Sequence, residues 1–205
     1  SYTLLLTLPD VPGVGRGVLL PESSFAWYVD QIVFGEFQDG TQYTWLLSGL
    51  GFIATTLSGV FAGELIKSDL PRPKVALYLF VIGLAGLVAG IVLGLWHPII
   101  KKIWTSSFVL ASSGVCYLLL SLFYWIIDVK GKVKWAFPLK VIGMNAIVAY
   151  MLSHVFNFHR IAEMVLFGLK QYVHDFYYLV LTIGGFGILY LILWYLYRNR
   201  TFLKI

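Results

Sequence analysis

Two lysines, two tryptophans, a histidine and three hydroxyls crowd into the twelve residues from Trp96 to Ser107. In order they are Trp96, His97, Lys101, Lys102, Trp104, Thr105, Ser106 and Ser107. Ammonium groups beside an indole and hydroxyls can hold an anionic or sugar ligand at the mouth of a cavity. Trp96 and Trp104 equally fit the aromatic belt that forms where helices leave a bilayer. Both readings stand at the level of residue type. Two more polar residues sit within apolar runs. Asn145, in Gly143-Met144-Asn145-Ala146-Ile147, carries an amide that hydrocarbon would leave unsatisfied, so it must bond a neighbouring helix or face a polar cavity. His154 has the chemistry of a general base, but no carboxylate is placed in the sequence to orient it. Glu64 lies close enough to a span end to snorkel or pair, and His159 and His174 fall in a connector.

These residues need a scaffold, and the composition says which kind. Of 205 residues, 59% are hydrophobic and 12% charged, against about 45–50% and about 25% in an ordinary soluble domain. Five apolar runs approach the ~20 residues that a ~30 Å hydrocarbon core demands: Tyr43–Ile66, Val75–Trp96, Ser106–Ile127, Leu139–Phe156 and Phe176–Tyr197. They show no strict alternation, so helices are expected rather than barrel strands. The expected fold is all-α, a polytopic membrane bundle of about five helices with a long external loop. Ser1–Leu8 reads as the end of a preceding membrane helix, residues 9–42 as the external Pro/Gly-rich loop, and residues 43–205 as the five-span domain.

Ten of the fifteen Lys and Arg fall on one side of that arrangement: Lys67, Arg72, Lys74, Lys130, Lys132, Lys134, Lys140, Arg198, Arg200 and Lys204. The richer side should be cytoplasmic, which puts the C-terminus inside and loops 9–42, 97–105 and 157–175 outside. The net charge of +5 is spread over membrane flanks instead of one face, so nucleic acid is not an expected partner. Lys101 and Lys102 fall outside, against the positive-inside tendency.

Within the loop, Phe25–Phe37 fits a short surface helix with Ser23 or Ser24 as N-cap. Residues 157–175 fit an amphipathic helix with Ile161, Val165, Leu166 and Leu169 on one face. Gly86, Gly90 and Gly94 recur every four residues after Gly83, and Gly59 and Gly63 repeat the spacing; both stripes suit close helix packing, with a narrow substrate-lining groove as the alternative. A single cysteine, Cys116, allows no internal disulfide. Phosphate-loop, His-Glu-x-x-His, Cys-x-x-Cys and Gly-x-Ser-x-Gly patterns are missing from the sequence, so no metal site is expected.

Several segments share a likeness. Lys101-Lys102-Ile103-Trp104-Thr105-Ser106-Ser107-Phe108-Val109 resembles the N-K-x-L-W-[ST]-x-S-[YF]-V segment of the heparan-alpha-glucosaminide N-acetyltransferase family and its bacterial transmembrane relatives. Gly143-Met144-Asn145-Ala146-Ile147 resembles the family's P-G-M-N-[AS]-I. Gly59-Val60-Phe61-Ala62-Gly63, Asp128-Val129-Lys130-Gly131 and the ending from Tyr197 to Ile205 agree in order and spacing. Ile100 stands where the motif has asparagine, and Ile142 where it has proline.

The resemblance implies the C-terminal half of a multi-span enzyme that moves an acetyl group from acetyl-CoA, its co-substrate, to a sugar acceptor across a bacterial inner membrane. It places the family's catalytic histidine outside this chain, so no residue here is assigned a catalytic role and the chain alone is expected to be inactive. Lys101, Trp104, Thr105, Asn145, His97 and His154 remain as substrate-binding candidates. Expected partners are membrane lipid and an N-terminal half of the same protein, with self-association left open. The alternatives are half of a transporter or flippase for a glycan or lipid-linked substrate, and a membrane scaffold without chemistry.

Overall fold

A computed structural model describes residues 2–35 and 43–203. The chain divides after Gly131 into two compact units. The fold is helical, with one two-stranded ribbon among the described residues.

The first unit opens with α1 (Tyr2–Thr7) and an antiparallel ribbon of β1 (Asp10–Val11) and β2 (Gly15–Arg16), with Asp10 opposite Arg16. The surface helix α2 (Phe25–Phe34) begins where Ser24 caps it, its Oγ accepting from the amide of Trp27 at 3.3 Å. Gly35 follows at φ +55° and ends α2; the last two residues of the expected Phe25–Phe37 helix lie outside the described residues. Three long helices follow: α3 (Ser48–Lys67), α4 (Arg72–Gly94) and α5 (Ser106–Tyr124), the last extended by a wider turn over Trp125–Val129.

α3 starts five residues later than the apolar run suggested. The fully buried carboxylate of Asp30 takes the amides of Trp45 and Leu46 at 2.6 and 3.1 Å, which holds that strip outside the helix. α4 begins with prolines where no amide donor is required, and α5 begins on Thr105.

α4 and α5 pack closely, as the glycine stripe led one to expect. A Cβ on Gly83 would sit 2.8 Å from the amide nitrogen of Leu118, and Gly90 and Gly114 lie as tightly against the opposite backbone. Gly94 departs from that stripe and faces Ile99. Polar side chains add ties: Ser121 donates to the Ala76 carbonyl at 2.8 Å, and Tyr117 to that of Ser58 at 2.6 Å. Large apolar side chains on these helices point outward, among them Ile53, Phe61, Val88 and Ile91, each more than half-exposed. A lipid solvent removes the cost of that exposure.

In the second unit the expected span Leu139–Phe156 is a bent pair of helices. α6 (Phe137–Met144) and α7 (Ala146–Val155) meet at Asn145, and the two arms are bent by 65°. The connector forms α8 (Phe158–Leu166), then the short α9 (Lys170–Val173), before α10 (Tyr177–Arg198). α8 lies against α10 where Gly184 and Gly185 leave room; Ala162 and Leu166 face inward, whereas Val165 is 71% exposed and belongs to the outer face. Among the described residues, four helices are long and apolar enough to cross a membrane, or five if the bent pair is one span.

Candidate functional site

The turn between α4 and α5 is built around backbone that other segments hold. Ile103 is fully buried, and its carbonyl accepts from the Tyr2 hydroxyl at 2.6 Å and from Ser48 Oγ at 3.2 Å. Thr44 donates its amide to the Lys102 carbonyl at 3.1 Å, and its hydroxyl bonds Ser48. α1, the lead-in to α3 and the first turn of α3 therefore fix the middle of the turn. Nothing in the types or spacing of Tyr2, Thr44 and Ser48 marks them for this role, since their partners lie 55 to 101 residues away.

Thr105 is fully buried. Its hydroxyl donates to the Pro98 carbonyl at 2.9 Å and accepts from the amides of Ile100 and Phe108 at 3.0 and 3.4 Å. Ser107 donates to the same carbonyl at 3.0 Å. One hydroxyl proton and two lone pairs are thereby used, so Thr105 shapes the turn and caps α5 with nothing left for a ligand.

Trp104 sits at φ +50°, a left-handed conformation that costs a bulky residue about 1–2 kcal/mol and that neighbouring contacts must hold. Those contacts are present. Its Nε1 donates to Thr55 Oγ1 at 3.1 Å. The ring stands edge-on to Phe52 and Phe108, with centroids 4.7 and 4.9 Å away. Its Cδ1 lies 2.5 Å from where a Cβ on Gly51 would be, so that position of α3 requires glycine.

The indole closes a groove of about 550 Å³ between α3 and α5. Gly59, Gly63, Ser112, Cys116 and Tyr117 line it farther along. A Cβ on Gly59 or Gly63 would meet nothing within 4 Å, so this stripe does not pack against a helix of the described chain, contrary to the packing reading. Thr55, Ser58 and Ser112 all donate to carbonyls of their own helices, which makes the walls effectively apolar.

His97 follows α4 at 3% exposure, with Nε2 buried and lacking a hydrogen-bond partner. Burial lowers its pKa, so the ring is neutral at pH 7. Lys101 is exposed, and its carbonyl accepts from the amide of Trp104 at 3.1 Å.

Asn145 and His154 belong to the second unit. Asn145 is 1% exposed; its Nδ2 donates to the Thr201 carbonyl at 3.3 Å and its Oδ1 accepts from the Leu203 amide at 3.4 Å. The amide thus secures the segment after α10 to the bend. His154 is exposed, with Nδ1 2.9 Å from the Tyr150 carbonyl and its ring 4.2 Å from that of Tyr150. It borders a groove of about 440 Å³ with Ser153, Asn157 and Gly185. Among the described residues, no three His, Cys, Asp or Glu side chains gather in a metal-binding group. No protein-family model matches the chain, and no curated protein matches it.

Proposed function

We propose that this chain is the membrane portion of an acyltransferase that moves an acetyl or related acyl group from acyl-CoA to a sugar amine across a bilayer. The observation that carries the reading is convergence. Gly59 and Gly63 of one resembling segment and Trp104 of another line a single groove between α3 and α5. Trp104 closes one end of that groove, and the exposed Lys101 beside it offers an ammonium to an anionic or sugar group. Thr105 keeps the indole in place through the turn it caps. In the second unit, Asn145 secures the C-terminal segment and His154 stays a candidate contact at its own groove.

The overall step breaks the thioester C–S bond and forms an amide C–N bond on the sugar. The amine gives up a proton and the departing thiolate takes one, so charge and atoms balance. The base is expected from outside this chain, as the resemblance implies. The turn and the Pro/Gly-rich loop face away from the cytoplasm and the C-terminus faces it, in keeping with the distribution of basic residues.

The test is the full gene product in sealed vesicles, with labelled acetyl-CoA on one side and glucosamine on the other. The expected result is N-acetylglucosamine, with at least a tenfold loss of rate in Trp104→Ala. Glucosamine crossing unmodified, with no saturable acetyl-CoA binding, would instead assign the protein to transport and overturn the acyltransferase reading.

A further inference from the structure

A second groove, about 640 Å³, runs along α4 and α5 away from the turn. Pro73, Ala76, Phe80, Val115, Leu119 and Trp125 line it. Ser121, the hydroxyl residue in its wall, is buried and already donates to the Ala76 carbonyl at 2.8 Å, so it offers no free hydroxyl to the groove. On α5 the lining spans Val115 to Trp125, about 15 Å at 1.5 Å per residue. That is half of a ~30 Å hydrocarbon core, the depth of one leaflet.

One end of the groove is cationic. Lys130 places Nζ 5.1 Å from the centre of the Trp125 ring that lines the groove. Arg72, adjacent to the lining residue Pro73, donates from Nη1 to the Asp128 carbonyl at 3.2 Å. Lys74 flanks Pro73 on its other side and is exposed, as are Arg72 and Lys130. Asp69 and Asp128 are the nearby acids in sequence, and no carboxylate among the described residues pairs with the three cations. A transmembrane helix is the poorer fit as an occupant. Gly83 and Gly90, which permit close helix approach, are spent on α5, and the groove presents bulky Phe, Leu and Val side chains instead.

We propose that this groove binds an anionic glycerophospholipid of the adjoining leaflet. One acyl chain lies along α4 and α5, and the phosphate sits against Arg72 and Lys130. A zwitterionic lipid would meet the same walls, so the cations set the preference, about fivefold for each near-surface Lys or Arg.

The test uses the whole chain in vesicles of phosphatidylcholine and phosphatidylglycerol at equal mole fraction, with bromine on the acyl chains of one lipid at a time. The signal from Trp125 is the quenching lost in Trp125→Phe. Quenching several-fold stronger with brominated phosphatidylglycerol is expected. The ratio should fall toward one in Arg72→Gln/Lys130→Gln, and part of the way, by up to about fivefold, in Lys130→Gln alone should that pair fail to fold. Val115→Phe, at an exposed wall position, should lower quenching by both lipids. Equal quenching by both lipids in the unaltered chain would make the groove ordinary lipid contact and overturn the proposal. Trp125 shielded from both would mean that a helix or a second copy covers the groove, and would overturn it too.

Discussion

The indole Nε1 of Trp104 donates to Thr55 Oγ1 over 3.1 Å, tying the turn after α4 to the first half of α3. Thr55 in turn donates to the Gly51 carbonyl at 2.8 Å, and Gly51 is the position against which the indole rests. Backbone, hydroxyl and ring form one closed contact set that holds Trp104 at its positive φ.

Removing either partner should therefore cost different amounts. Trp104→Phe leaves a hydroxyl that can still donate to Gly51, and should lower stability by about 1 kcal/mol from the lost bond, with some added loss of packing. Thr55→Val strands the indole N–H beside an apolar groove and should cost about 1–3 kcal/mol. The double variant should cost less than the sum of the two, because neither polar group is then left alone. Reversible unfolding in mixed micelles measures all three; strict additivity would mean the bond contributes nothing.

Glycines of α4 and α3 have opposite fates here. Gly83→Ala would place a methyl 2.8 Å from the backbone nitrogen of Leu118, so α4 and α5 must separate, at about 1–3 kcal/mol. Gly59→Ala meets open space and should be neutral or stabilising by up to about 1 kcal/mol, since alanine is the better helix former. Thermal melts of the two variants side by side decide the matter, and equal losses would count against the arrangement of α3 and α5 around the groove.

That pair also shows where sequence reading stops. Run length alone locates the helices, because lipid leaves few alternatives for a backbone of twenty apolar residues. Spacing alone does not say what a small-residue face meets: the stripe in α4 packs, while the stripe in α3 lines a groove. Helix starts fail for a related reason. The amides of Trp45 and Leu46 leave the helix for the carboxylate of Asp30, a partner fifteen residues away that no local propensity reports. In the turn, the residue types suggested ligand chemistry, yet Thr105 has all its hydrogen-bonding capacity engaged internally. Lys101 alone among the turn's candidates keeps an exposed side chain.

Asn145 interrupts its run for a reason that can be tested by geometry. Its side chain bonds the Thr201 carbonyl and the Leu203 amide, and the arms on either side diverge by 65°. Asn145→Leu removes those bonds and favours a continuous helix. Residues 134–155 would then span about 32 Å, against about 27 Å for two equal arms at that bend. Spin labels on cysteines at the exposed positions Lys134 and Val155, in a Cys116→Ser background, should move apart by about 5 Å. An unchanged distance would assign the bend to something other than Asn145.

His97 gives the turn a pH dependence whose sign follows from burial. The ring is almost fully enclosed, its Nε2 lacks a partner, and its pKa is lowered from the ordinary value of about 6.5. Below that value the unfolded chain binds a proton that the folded chain still excludes. Stability contributed by the neutral ring is therefore constant above about pH 6.5 and falls as pH drops toward the folded-state pKa. His97→Phe keeps an aromatic ring in the enclosure and removes both the titration and the unpaired nitrogen. Its melting temperature should equal or exceed that of the unaltered chain at pH 7. The difference should widen in favour of phenylalanine between pH 6.5 and 5, since only the histidine chain must then release a proton to fold. Parallel curves across that range would show that His97 is protonated as easily in the fold as outside it, and that the turn is more open to water than its burial implies.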